Sequence, residues 1–149
     1  MQRYDAIHSI LQAKGQELYW LPPEASVYEA ISLMARKSAG ALPVLAEGKL
    51  VGIVSERDYA RKVILLGKSS RETKISDIMT APVITVDPSG TVDECMRIMT
   101  SKRIRHLPVV DSGKVVGIVS IGDLVKWIIT AQEQTILHLE SFISGSYPR

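Results

Sequence analysis

The chain is written twice, and that constrains its fold more than any other feature. At a constant offset of 65 positions, residues 21–63 and 86–128 are identical at sixteen of forty-three places, where roughly two or three would arise by chance from ordinary residue frequencies. The most closely repeated stretch is Gly48 to Asp58, G-K-L-V-G-I-V-S-E-R-D, which returns as Gly113 to Asp123, G-K-V-V-G-I-V-S-I-G-D. An internal repeat of this length means two copies of one supersecondary unit. Burial is marginal in a copy of about 60 residues, so the two are expected to pack on each other.

Each copy carries the same local signals. Gly48-Lys49 and Gly113-Lys114 are turn residues, because glycine takes positive φ without a Cβ clash. The β-branched runs Leu50 to Val54 and Val115 to Val119 predict strands buried on both faces. A polar S-x-x-D follows each run. Ser55 and Ser120 are placed to cap the next helix, with Asp58 and Asp123 in its first turn, where the dipole favours negative charge. Such a corner leaves backbone N–H groups free for phosphate or hydroxyl groups. From spacing alone, S-x-x-D fits a plain helix cap as well as a ligand contact.

Upstream, Tyr4 to Leu18 has helical spacing, with Ile7, Ile10 and Leu11 on one side and Gly15 as its stop. Ile75, Ile78 and Met79 repeat that spacing at an offset of 68. Leu18-Tyr19-Trp20-Leu21, halted by Pro22-Pro23, and Val83-Ile84-Thr85-Val86, halted by Asp87-Pro88, are expected strands. Ser26-x-x-Glu29 and Thr91-x-x-Glu94 have the form of capping boxes. The helices they open bury Val27, Ala30, Ile31 and Met34 in one copy and Val92, Cys95, Met96 and Met99 in the other. Cys95 is thus a small core residue. Ala41 to Leu45 and His106 to Val110 follow as strands containing Leu-Pro-Val, whose proline points to an edge or an irregular start. Helices are then expected over Tyr59 to Leu66 and from Leu124 onward. The order is β-α-β-β-α, twice.

The implied organisation is a lead-in helix over 1–17, a first repeat over 18–67, a polar connector and lead-in over 68–82, a second repeat over 83–130, and a C-terminal helix and tail over 131–149. Lys126 to Ile143 repeats nothing earlier. With Ile128, Ile129, Ile136, Leu139 and Ile143 apolar, it is expected to pack across the module or against a partner subunit, with a frayed tail beyond.

Composition excludes several classes. A net charge of +2 gives no electrostatic footprint for nucleic acid, and no aromatic platform stands beside Lys102, Arg103 and Arg105. A single cysteine allows no intramolecular disulfide, Met1 to Asp5 does not resemble a signal peptide, and no apolar run reaches membrane-span length, so a cytoplasmic setting is expected. His8, His106, His138 and Cys95 lack metal-ligand spacing. There is no nucleophile elbow, P-loop or G-x-G-x-x-G, and the chain is not expected to be an enzyme.

Taken together, the capped helix, L-P-V and G-h-h-S-x-x-D in duplicate resemble a tandem pair of CBS domains, a Bateman module, over nearly all of residues 8–130. Ser55-Glu56-Arg57-Asp58, Gly67-Lys68-Ser69-Ser70 and Lys102 to Val109 further resemble the small stand-alone CBS-pair proteins of bacteria. The resemblance implies a mixed α/β, α+β architecture, two β-α-β-β-α units about a pseudo-twofold axis with extra terminal helices, and a disc-like homodimer. It also implies a regulatory role. The clefts between the units would take AMP above all, or ADP, ATP, NAD(H) or S-adenosylmethionine, and an effector protein would respond.

Carried onto this sequence, the resemblance places Asp58 and Ser55 in one cleft with Gly40, Ala41, Leu42, Pro43, Tyr19, Trp20 and Leu21. The other would hold Asp123 and Ser120 with Arg105, His106, Leu107, Pro108, Ile84, Thr85 and Val86. The aspartates would hold ribose hydroxyls, which suits a carboxylate facing a cis-diol. Arg57, a cation in a helix's first turn, is the first choice for a phosphate contact, because an anionic ligand would offset its unfavourable place in the dipole. Arg105 is the second choice, ahead of Lys102 and Arg103. His106 fits a buried core role as well as a cleft-lining one. A dimerisation scaffold that binds no ligand is the alternative.

Overall fold

The computed structural model describes residues 7–15 and 17–144. Helix α1 covers Ile7–Lys14 and stops at Gly15, whose φ of 103° ends the helical path; the expected helical residues Tyr4 to Ala6 and Gln16, and the tail 145–149, lie outside the described residues. The first repeat contains α2 (Val27–Lys37), β1 (Ala41–Ala46), β2 (Lys49–Ser55) and α3 (Glu56–Tyr59), and the second α4 (Val92–Lys102), β3 (His106–Asp111), β4 (Lys114–Ser120) and α5 (Ile121–Ser144).

Each sheet is one antiparallel hairpin, β1–β2 or β3–β4, and the registers match pair for pair, Ala41 opposite Ser55 and His106 opposite Ser120. The turns are Glu47-Gly48 and Ser112-Gly113, all four residues at positive φ. That is the two-residue turn whose twist suits a hairpin. The helices before them end at Ser38 and Arg103, again both left-handed. Ser26 and Thr91 accept from the N–H of Glu29 and Glu94, which is the N-cap half of the expected capping boxes; the full reciprocal box stands at Ser55 and Asp58.

Three expectations are corrected. The opening strands are reduced to single parallel bridges, Leu21 to Val44 and Val86 to Val109. The cause lies in the prolines. Leu21 donates to the Pro43 carbonyl and accepts from Leu45 N–H, so that edge of β1 is the one on which Pro43 has no donor to offer. Pro108 sits identically beside Val86. Second, β2 and β4 are not buried on both faces. Val54 and Val119 point into the cores, whereas Ile53 and Ile118 are half-buried and Val116 is exposed, as an antiparallel hairpin with one covered face requires. Third, the helix expected over Tyr59 to Leu66 is one α-turn followed by a π-helical segment, Ala60–Ile64.

The cores show how the copies interlock. Val27, Ala30, Met34, Leu42, Val44, Val54 and Val63 of the first repeat are completed by Ile75 and Ile78. The core of the second, Val92, Cys95, Met99, Leu107, Val109, Val119 and Leu124, is completed by Ile7 and Ile10. Each lead-in thus packs on the copy it does not precede. Burying an isoleucine contributes roughly 1.5–3 kcal/mol, so the exchange stabilises each copy through sequence bordering the other. Burial also pushes the Cys95 thiol up to about 11, with the Glu94 charge adding to it, which leaves it a structural thiol.

Helix α5 continues the second repeat without a break. Leu124 is buried and Trp127 and Ile128 pack on the core, but Ile129, Ile136, Leu139 and Ile143 are exposed, the last by 82%. Its distal half therefore does not pack across the module. Among the described residues no helix is long and apolar enough to cross a membrane, and no group of His, Cys, Asp and Glu is arranged to hold a metal ion.

Candidate functional site

The seam between the repeats holds a cavity of ≈ 560 Å³ lined by Gly40, Ser55, Glu56, Arg57, Asp58, Arg61 and Lys62 from the first repeat and by Val83, Ile84, Ile104, Arg105 and His106 from the second, with Ile53, Thr80 and Pro82 closing it. Local sequence builds it. Ser55 ends β2 and caps α3, its Oγ accepting from Asp58 N–H at 3.2 Å while Asp58 Oδ2 accepts from Ser55 N–H at 2.9 Å. This reciprocal cap fixes Asp58 at 9% exposure, and its other oxygen, Oδ1, lies 3.1 Å from Lys62 Nζ one turn on. On the far edge of β2, Thr80 exchanges both backbone hydrogen bonds with Ile53. That bridge leads Pro82, Val83 and Ile84 into the cavity wall.

The cap and the cavity wall are thus the same residues: S-x-x-D closes the helix end and faces the hollow. Four cationic side chains, Arg57, Arg61, Lys62 and Arg105, line the cavity against two carboxylates, Glu56 and Asp58. A cleft with that excess of positive charge attracts an anion. Arg57 also has a structural partner, donating from Nη1 to the Arg103 carbonyl at 3.1 Å. That carbonyl belongs to the C-terminal cap of α4, so the arginine's unfavourable place in its own helix is offset by a favourable one at another.

His106 sits over Gly40, where an added Cβ would lie 3.0 Å from Nε2. Burial, and then the cations Lys14, Arg105 and Arg57, hold its pKa below the usual histidine value, against an opposing pull from Asp123. It is a half-buried imidazole lining the cavity.

The structure regroups the expected site residues. The hollow at Asp58 and Ser55 takes Ile84, Arg105 and His106 from the second repeat rather than Tyr19 to Leu21 from the first, and only Gly40 of the Gly40 to Pro43 segment reaches it. Ala41, Leu42 and Pro43 line a separate cavity of ≈ 130 Å³ with Leu18, Tyr19, Lys14, Gly117 and Ile118. Trp20 is 47% exposed and Leu107 is buried in the core; Pro108 is buried, Leu21 and Val86 are half-buried and Thr85 is exposed, and none of these lines either hollow.

At the second corner, Ser120 and Asp123 form the same reciprocal cap, with N–H to Oδ2 at 2.8 Å and N–H to Oγ at 3.1 Å, but Lys14 reaches the carboxylate, Nζ to Oδ2 at 2.8 Å. Burial works to raise the Asp123 carboxyl, and the hydrogen bonds from Lys14 and Ser120 with the lysine's charge outweigh it, holding it below the usual carboxylate range. Arg61, Lys62 and Lys14 were not singled out from sequence. Lys62, four residues after Asp58, was findable by spacing; Lys14 was not, because its contact with Asp123 spans 109 positions.

The fold has counterparts among known proteins. The CBS domain family matches residues 15–64 and 75–130. The mitochondrial CBS domain-containing protein CBSX3 of Arabidopsis thaliana is 38% identical over 150 residues, covering 95% of this chain and 73% of that one. A solved structure of a protein with CBS domains from Burkholderia ambifaria is 50% identical with a TM-score of 0.82, covering 86% of this chain and 96% of that one. The CBS domain pair of protein MJ0100, solved in complex with 5′-methylthioadenosine and S-adenosyl-L-methionine, is 29% identical with a TM-score of 0.75, over 86% and 98% of the two chains. Two matched copies, their reciprocal caps and their shared seam make this chain a tandem pair of CBS domains, and it belongs to that family.

Proposed function

We propose that this CBS pair is a regulatory module that binds an adenosine nucleotide in the Asp58 cleft and passes the change in packing to a partner protein. The observation that carries the reading is the placement of a buried, capped carboxylate and four cationic side chains in one inter-repeat hollow of ≈ 560 Å³. That volume lies within the range of small-ligand sites. Asp58 Oδ1 accepts from the ribose hydroxyls once Lys62 turns from it toward phosphate. Arg57, Arg61 and Arg105 hold the phosphates, and Ile84, Val83 and Ile104 give the base an apolar wall. The MJ0100 pair, with its two adenosine-containing ligands, supports the class of ligand. The cationic lining favours AMP, ADP, ATP or NAD(H) over S-adenosylmethionine, whose sulfonium it repels.

Ligand drives a conformational response only through different affinities for two arrangements of the repeats. The Asp58 cleft supports such a difference, since its walls come from both copies and a shift of one against the other would change the contacts a bound molecule makes across the seam. Thermal melting with AMP, ADP, ATP, NAD(H) and S-adenosylmethionine tests the reading. A phosphorylated ligand at about 100 times its Kd adds roughly 2.7 kcal/mol, and the Arg57→Ala, Arg61→Ala double variant loses most of the shift. No shift with any of them favours a scaffold that binds no ligand. Turnover of the nucleotide during the assay favours an enzyme.

A further inference from the structure

We infer that Lys14 is a built-in occupant of the second cleft, so that the pair takes one nucleoside ligand per chain rather than two. The inference rests on the proposed reading of the Asp58 cleft. The two corners share the same cap, yet Ser55 and Asp58 of the first open onto a hollow of ≈ 560 Å³, whereas the counterpart cavity beside Lys14 is ≈ 130 Å³ and is lined by Lys14 and Ile118 but by neither Ser120 nor Asp123. One difference between the lead-ins bears directly on this. The lead-ins correspond at an offset of 68, Ile7 with Ile75, Ile10 with Ile78 and Leu11 with Met79, and that offset brings Lys14 onto Pro82. Pro82 lines the open hollow and carries no donor. Lys14 instead extends its amine into the corner, Nζ lying 2.8 Å from Asp123 Oδ2 and 2.8 Å from the carbonyl oxygen of Ile118.

Ile118 is the counterpart of Ile53, a wall residue of the open hollow. Lys14 therefore takes both the carboxylate meant for a sugar diol and an acceptor on the strand beside it. Lys62 does not do the same at Asp58. It arises from the carboxylate's own helix, also donates to Ile78 O at 2.8 Å, and leaves the hollow open. The Lys14 contact further ties α1 to the corner of the copy on which that helix packs, so the closure is part of the exchanged lead-in.

Equilibrium dialysis with labelled ADP and with labelled adenosine, on the wild-type chain and on Lys14→Ala, counts the sites. The lysine ends α1 with its side chain 38% exposed, so its truncation removes no core packing. Lys14→Ala is expected to bind one more equivalent of adenosine or ADP than the wild type, and adding Asp123→Ala is expected to remove that equivalent. Two equivalents on the wild type, or an unchanged count on Lys14→Ala, overturns the inference. A wild type that binds nothing counts against the Asp58 reading instead. In that case a gain of one Asp123-dependent equivalent on Lys14→Ala still supports the role of the lysine, and no gain refutes it.

Discussion

Met79 lies over Gly52 so closely that a Cβ on the glycine would fall 2.9 Å from its Cγ and nearer still to its sulfur. Leu11 covers Gly117 in the same way, 2.8 Å from the corresponding position. These two contacts are where each exchanged lead-in meets the strand of the copy it serves. Gly52→Ala is expected to destabilise the chain by about 1–3 kcal/mol through overpacking. Combining it with Met79→Ala is expected to be less than additive, because the second change removes the atoms the new methyl strikes. Urea denaturation of the two single variants and the double variant checks this; full additivity would mean that Met79 yields without cost.

The reciprocal caps give a second prediction. Ser55→Ala removes the acceptor for Asp58 N–H and a donor to Oδ2, at a cost of about 0.5–2 kcal/mol. It also frees the carboxylate from its fixed orientation, so nucleotide affinity is expected to fall together with stability. Ser26→Ala removes a comparable cap remote from the hollow and is expected to lower stability alone. Denaturation and calorimetric titration of the pair separate the two effects.

His106 gives the third. Its pKa is below the usual histidine value in the folded chain, so the unfolded chain binds more protons as acid is added. Its contribution to stability is complete above the unfolded value of 6.5 and is lost as pH falls through that value toward the folded one. Melting temperature is expected to decline from pH 7 to pH 5, and less steeply in His106→Gln. An anionic ligand beside Arg57, Arg105 and His106 raises the histidine's affinity for protons, so titration below pH 7 is expected to show proton uptake, measurable as a dependence of binding heat on buffer ionisation.

Asp123 titrates in a different window. Its depressed pKa means that its contribution is complete above the ordinary carboxylate value of 3.8 and is lost as pH falls from that value through the lower folded one. Asp123→Asn is therefore expected to flatten the acid limb below about pH 4 and, by removing the charge that pulls the His106 pKa up, to steepen the slope between pH 5 and 7. Acid-induced unfolding followed by circular dichroism checks this.

Much of the fold was legible because duplication turns weak local signals into paired ones. Hairpin turns at Gly48 and Gly113, caps at Ser26, Thr91, Ser55 and Ser120, and the buried faces of α2 and α4 depend on neighbours in sequence. What was not legible depends on tertiary choice. The helical spacing of Ile7, Ile10 and Leu11 shows that one face is buried but not against which copy, and with interchangeable copies the exchange is invisible. The same ambiguity misgrouped the cleft. Carrying the resemblance over within each copy groups Ile84, Arg105 and His106 with Asp123, whereas they line the hollow at Asp58. The opening strands were lost to Pro43 and Pro108, whose effect depends on which edge their missing N–H faces.

The most direct test is a crystal structure of the chain grown with ADP. The nucleotide is expected in the hollow between the repeats, its ribose hydroxyls within hydrogen-bond distance of Asp58 and its phosphates against Arg57, Arg61 and Arg105. Density for the nucleotide elsewhere on the chain, with Asp58 still held by Ser55 and Lys62 alone, would contradict the account.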